Sequence, residues 1–395
     1  MDATRLASRA FMPYPDAPVA HADKGPLSGL RFAVKDLMDV AGYPTSNGQP
    51  MMLARSGIKP RHADVVEQLL AAGAEFAGKT ITDELAFSMN GRNAHFGAPI
   101  NAAAPDRITG GSSCGSASAV SHGLVDFALG TDTGGSIRAP ANHCGLWGLR
   151  PTHGRISLRG AWDLAPSFDT LGWFTQDLAT FARVADVLLG PDPHPLPSRV
   201  HVVRPESCWD LLDAPALESL APVLERMHSL LGPLESAKNG QLDFEALYWA
   251  FRYIQGEEAW QIDGDFISTY HPPLGPDIAQ RFDWSREVTS EQAKSSRAVR
   301  QAFTDELAQA LGSDTVWVMP TMPDIAPLIQ DSAEALERYR NNAIRLLCLS
   351  GLSGFPQLHL PLARRLGAPF GLSLLGPKGS DRSLIRLAEQ LLAAH

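Results

Sequence analysis

Gly110-Gly111-Ser112-Ser113-Cys114-Gly115-Ser116 and Gly130-Thr131-Asp132-Thr133-Gly134-Gly135-Ser136-Ile137-Arg138 are two hydroxyl-bearing, glycine-rich runs separated by a short segment. Glycine takes backbone conformations closed to other residues and lets a ligand approach the main chain. Flexible linkers have a similar composition. The segment between the runs argues against linkers, because Ala119, Val120, Leu124, Val125, Phe127, Ala128 and Leu129 are core-forming. Small-residue turns held between buried elements point to a pair of binding or catalytic loops.

Outward from these runs, apolar periodicity marks an alternation of strands and helices. Upstream, residues 30–37 read as a buried strand with Lys35 near its end. A lysine is almost never fully buried, yet Phe32, Ala33, Val34 and Leu37 place this one among apolar neighbours. Residues 62–72 read as a helix whose face is Val65, Val66, Leu69 and Leu70, stopped by Gly73. Residues 75–79 form a short strand, Thr82 caps a further helix, and residues 90–97 form a loop. Downstream come a helix over 115–122, a strand over 125–129 and an amphipathic helix over 176–189. The Pro/Gly cluster 190–197 marks a subdomain boundary. A strand follows over 199–204, then a mainly helical region without motifs over 214–310. The strand at 315–319, a helix including 341–349 and a final helix over 380–393 return to the earlier pattern. The expected fold is therefore α/β: one large domain with a central mixed β-sheet covered by helices. Its expected parts are an N-terminal arm over 1–28, loosely ordered at its start, and a domain over 29–395. The domain has a core of 29–190 and 312–395 and a mainly helical cap over 191–311.

The two runs, with Cys144-Gly145-Leu146-Trp147-Gly148-Leu149-Arg150-Pro151-Thr152-His153-Gly154-Arg155, closely resemble the amidase signature family. The resemblance is dense over 28–190 and thin over 312–395. It implies the family's fold and its Ser–cis-Ser–Lys triad, with Ser136 as nucleophile, Ser112 as the bridging serine after a cis peptide, and Lys35 as base. It also implies an oxyanion hole in the run Thr133, Gly134, Gly135 and Ser136. A serine hydroxyl needs a base within hydrogen-bond reach, and Ser–Lys arrangements are a known variant of the Ser–His–Asp logic. The lysine acts only when neutral, and burial lowers its pKa.

Thr131, Asp132 and Arg138 are expected to hold the loop, with Arg138 paired to Asp132 in preference to binding a substrate carboxylate. Asn93, His95 and Ser113 are candidate substrate contacts, against the alternative that Asn93 and His95 make bonds within their own loop. His122, His143 and His153 lie near Ser136 in sequence, but none sits in a Gly-x-Ser-x-Gly elbow, so a histidine-based triad is disfavoured. Cys114 and His143 depart from the family's usual glycine and aromatic residue.

Within the family, residues 83–97 and 166–174 are most similar to the short indole-3-acetamide hydrolase-like members. The resemblance implies an amidase that converts a small carboxylic amide to carboxylate and ammonia, with an aryl-acetamide such as indole-3-acetamide as the substrate suggested by analogy. The glutamine-hydrolysing subunit of a tRNA-dependent amidotransferase is the alternative it leaves open.

The formal net charge of −9, without a long basic run, disfavours a nucleic-acid partner and a polybasic membrane anchor. No apolar run approaches the ~18 residues of a spanning helix. The N-terminus lacks the apolar stretch of a signal peptide. Cys114, Cys144, Cys208 and Cys348 are scattered, which fits a reduced cytoplasmic protein. A monomer or homodimer acting on a small-molecule substrate, with no cofactor, is expected. No His/Cys/Asp/Glu spacing reads as a metal site. Ammonia release should therefore survive exhaustive chelation, and a loss restored by added zinc or magnesium would overturn that reading.

Overall fold

A continuous apolar run reads as a strand buried on both faces, and three such runs lie near the middle of the sheet. The computed structural model describes residues 3–237 and 242–393. In it, β1 (Arg31–Lys35), β2 (Glu75–Thr80), β3 (Phe127–Asp132), β4 (Trp147–Arg150) and β5 (Thr170–Thr175) form one half of a mixed sheet. β6 (His201–Pro205), β7 (Glu235–Ala237), β8 (Thr315–Pro320), β9 (Gln357–Arg365) and β10 (Ala368–Leu375) form the other. The spatial order is β2-β1-β3-β5-β4-β9-β10-β8-β6-β7. β1 runs parallel to β2 and β3, with Val34 beside Leu129. β5 runs antiparallel to β3. In β3 and β5 every residue is buried, as are the last four of β1. Helices cover this sheet, so the α/β architecture is the expected one.

The structure differs from the sequence reading in four places. The helix expected after Thr82 is a single 3₁₀ turn, Glu84–Ala86. Leu85 and Ala86 take positive φ of 50° and 53°, and the Leu85 N–H turns to the Asn47 carbonyl instead of continuing a helix. The strand expected over 125–129 begins at Phe127 and continues through Gly130 and Thr131 to Asp132, because β5 pairs with it along that whole length. The N-terminal arm contains a helix, Ala3–Ser8, and is then pinned across β2 by a Phe11–Thr80 bridge and a bond from the Met12 N–H to the Lys79 carbonyl. The region 191–311 is mostly helical, but β6 and β7 within it extend the same sheet through β8.

Two long helices, Phe244–Tyr270 and Ala333–Ser353, pack against each other and reach the glycine run that follows β3. No described helix is long and apolar enough to cross a membrane.

The segment that follows β1 is fastened by a buried ion pair. Lys79 Nζ lies 2.6 Å from Asp36 Oδ1, and both side chains are fully buried. Tyr14 and Ser46 also donate to Asp36. Truncating one partner of a buried pair leaves the other charge uncompensated, at about 3–5 kcal/mol. Lys79→Met should lower the urea-unfolding free energy by that amount.

Candidate active site

Lys35 ends β1 and is fully buried. Its Nζ donates to Ser112 Oγ at 2.7 Å and to Thr131 Oγ1 at 2.8 Å. Burial pushes the amine down to about 8, against the opposing pull of Cys114, Asp83, Asp169 and Asp132. No carboxylate touches it, so its neighbours leave it able to exist neutral near physiological pH. The Gly111–Ser112 peptide is cis. The Ser112 carbonyl accepts from Asp83 N–H at 3.0 Å and from the Thr82 hydroxyl at 3.1 Å. Three separate stretches, the end of β1, the first glycine run and the end of β3, therefore meet at one ammonium group.

Asp132 sits one residue further along β3 and organises the second glycine run. Its Oδ1 accepts from Gly135 N–H at 2.9 Å and Arg138 Nη2 at 2.8 Å, and its Oδ2 from Ile137 N–H at 3.1 Å and Arg138 Nε at 3.0 Å. Arg150 Nη1 reaches Oδ1 at 3.1 Å. Burial alone would raise this carboxyl, but the Arg138 guanidinium and then Arg150 hold it well below the usual range. The remaining bonds of Arg138 go to the Leu347 carbonyl and to Gln357 Oε1. Its guanidinium is thus committed to the scaffold, which leaves no role for it in binding a substrate carboxylate. Thr133 is tied separately, its hydroxyl donating to Asp169 at 2.6 Å.

This arrangement narrows the expected oxyanion hole. The Gly135 N–H points back to Asp132, so it is not free to meet an oxyanion. The N–H groups of Thr133, Gly134 and Ser136 have no acceptor among the described residues. Gly135 adopts φ 121°, and a Cβ there would lie 2.4 Å from Leu347 Cδ1. The helix Ala333–Ser353 presses directly on the loop.

Ser136 opens into a narrow cavity of about 20 Å³. Phe87, Met89, Leu164, Phe251 and Ile344 give it apolar walls, and Gln255 and Arg340 contribute polar groups. Arg340 is buried, which lowers its guanidinium to about 9 and leaves it charged at neutral pH. Sequence reasoning missed Phe251, Gln255 and Arg340, which lie on the two long helices, outside any motif. The available signal was spacing: Phe251 and Gln255, like Arg340 and Ile344, stand four apart and share a helix face.

The three candidate substrate contacts lie elsewhere. Asn93 Nδ2 donates to the carbonyls of Gly48 and Thr82, and its Oδ1 accepts from the N–H groups of His95 and Phe96. His95 Nε2 meets Glu84 Oε1 at 2.9 Å. Ser113 Oγ exchanges bonds with the Thr131 backbone. None of the three lines the Ser136 cavity; their polar atoms bond within their own loop or to neighbouring segments. His143 is buried against Tyr339, and burial pushes its imidazole down to about 3. Burial likewise pushes the Cys114 and Cys144 thiols up, away from nucleophilic character.

The buried Lys35–Ser112 couple and the cavity lined by Ser88 and Ser136 coincide with a family match. The sequence model described as Amidase covers residues 8–211. Amidase 1 of Arabidopsis thaliana is 37% identical over 400 residues, spanning 93% of each chain. The chain belongs to the amidase family. Amidase 1 of Oryza sativa subsp. japonica is 36% identical over 416 residues, with 97% of this chain and 94% of that one covered. A crystal structure of an amidase superposes with a TM-score of 0.83 at 30% identity, over 94% of this chain and 85% of the other. Members of the family are hydrolases acting on amide C–N bonds, and this chain is an amidase.

The amidase's two buried lysines should respond oppositely to removal. Lys79 has a contact carboxylate, whereas Lys35 has only hydroxyls. Lys35→Met should keep the parent's urea midpoint at pH 7 or exceed it, while losing activity. Lys35→Arg should be inactive too, since arginine does not deprotonate. Because the amine must be neutral to accept a proton, kcat/KM should rise with pH through about 8. The folded-state pKa lies below the unfolded one, so the unfolded chain binds more protons between them. Stability should therefore also rise with pH from about 8 towards 10.5. A flat pH–rate profile, or an active Lys35→Arg, would show that Lys35 is not the base.

Proposed function

We propose that Ser136 is the nucleophile of an acyl-enzyme amide hydrolysis in which Lys35 is the base and Ser112 the relay between them. The observation that carries this reading is the 2.7 Å bond from Lys35 Nζ to Ser112 Oγ, taken with the place of Ser136 in the cavity wall. Neutral Lys35 takes the proton of the Ser112 hydroxyl as Ser112 takes that of Ser136. The Ser136 oxygen attacks the carboxamide carbon, and the N–H groups of Thr133, Gly134 and Ser136 receive the oxyanion. The lysine's proton returns through Ser112 to the leaving nitrogen, the C–N bond breaks and ammonia departs. Water then attacks the ester by the same relay and releases the carboxylate.

The apolar walls of Phe87, Met89, Leu164 and Phe251 suit a small primary amide with a flat apolar body, such as an aryl-acetamide. The region 191–311 contributes Phe251 and Gln255 and so acts as the cap that shapes this pocket. We place the enzyme in a reducing cytoplasm, where its four buried cysteines stay free, working as a monomer or homodimer on a small-molecule substrate. Ser136→Ala should cut ammonia release from such amides by at least about 10⁴-fold while leaving the unfolding curve unchanged. Acid-quenched parent enzyme should carry the acyl mass on the peptide containing Ser136. Near-normal turnover by Ser136→Ala would refute the assignment.

A further inference from the structure

Two side chains that line the Ser136 cavity each carry a buried polar atom without a partner among the described residues. Arg340 is 5% exposed, and its Nη1 donates to Glu337 Oε1 at 3.1 Å, but its buried Nε has no acceptor. Glu337 is shared with Arg281, whose Nη2 lies 3.2 Å from the other carboxylate oxygen. Arg281 is in turn held by the Phe87 carbonyl at 2.9 Å. The outer end of Arg340 is therefore anchored while its Nε remains free. Gln255, also 5% exposed, has a buried Oε1 with no donor. Both residues line the same cavity, from two different helices.

A buried polar atom without a partner is destabilising, and here one orphan is a donor and the other an acceptor. A carboxylate would satisfy Arg340 but would set a negative charge against the Gln255 oxygen. An ammonium group would satisfy Gln255 but would confront the guanidinium. A methyl group would satisfy neither. A hydroxyl accepts from one and donates to the other.

We propose that the amide substrate carries a hydroxyl on its apolar body, placed between Arg340 and Gln255, so that the enzyme selects ring-hydroxylated aryl-acetamides over their unsubstituted parents. This rests on the acyl-enzyme reading of the same cavity and names its substrate class. Arg340 and Gln255 are specificity residues; neither takes part in the proton relay. A site built to hydrogen-bond a substrate hydroxyl rejects the analogue that lacks it strongly, because its own buried groups are then left unpaired.

The test compares kcat/KM for phenylacetamide, its 2-, 3- and 4-hydroxy isomers, and the 4-carboxy analogue. At least one hydroxy isomer should exceed phenylacetamide by about 100-fold or more. Arg340→Met and Gln255→Leu should each shrink that ratio at least tenfold. A purely structural role for either residue would lower both rates together and leave the ratio standing, which would overturn the proposal. So would preference for the carboxylated amide, or no preference among the isomers. Calorimetric binding of the same compounds to Ser136→Ala separates this proposal from the hydrolytic reading. Hydroxyl-selective binding without turnover by the parent enzyme would refute the hydrolysis and retain the pocket assignment. Turnover with no hydroxyl preference in either assay would do the reverse.

Discussion

The carboxylate of Asp132 is the point on which the catalytic loops depend. It is fully buried, and it gathers the Gly135 and Ile137 N–H groups and two guanidinium groups around itself. Two buried cations for one anion leave an excess of positive charge, which needs further acceptors. Arg138 finds them at the Leu347 carbonyl and Gln357, and Arg150 at the carbonyls of Asp132 and Phe168. The charge balance of one side chain therefore ties β3, the glycine run, β4, the Ala333–Ser353 helix and the start of β9 into a single unit. The same bonding decides which backbone donors face the cavity: Gly135 is turned to the scaffold, and its neighbours remain available.

Lys35 lies within that unit without being neutralised by it. Asp132 and Asp169 act on it only at a distance, and desolvation outweighs them. Lys79, on the adjacent strand and buried as deeply, has Asp36 in direct contact and acts as a fastening. Two lysines in similar burial thus play different parts according to what touches the nitrogen. Burial lowers both amines, but Lys79 is held in an ion pair while Lys35 meets only hydroxyls. Glycine at 111 belongs to the same arrangement, because a Cβ there would lie 2.1 Å from Asp83 Oδ2. No larger residue fits between that carboxylate and Ser112.

The sheet's centre was legible because strands buried on both faces leave unbroken apolar runs, and the glycine loops announce themselves by composition. The meeting of Lys35 with Ser112 was not readable from spacing; it came from the resemblance to the amidase signature family. The turn at Glu84–Ala86 was misjudged because its course is set by the distant Asn47 carbonyl and by positive φ at Leu85 and Ala86, and neither leaves a local signal. Asn93 and His95 lie in the loop the sequence located, but a loop's sequence does not say which way its side chains turn. Gln255 and Arg340 were invisible for the opposite reason. A single amide or guanidinium on a long, partly charged helix looks like part of a solvated face until the packing partner is known.

That packing joins the walls of the Ser136 cavity to the second glycine run. Phe251 stands one helical turn from Gln255, and a Cβ added at Gly134 would come within 2.6 Å of the Phe251 ring. On the facing helix, Leu347 presses on Gly135 while Arg340, two turns earlier, faces the far side of the cavity. Each helix therefore touches the second glycine run with one residue and lines the Ser136 cavity with another. A protein interior is close-packed and transmits strain, so neither helix can shift without moving the backbone of that run. The motif-free middle region is thus bound to the loop that carries Ser136 through the Phe244–Tyr270 helix, and the C-terminal third through the helix Ala333–Ser353.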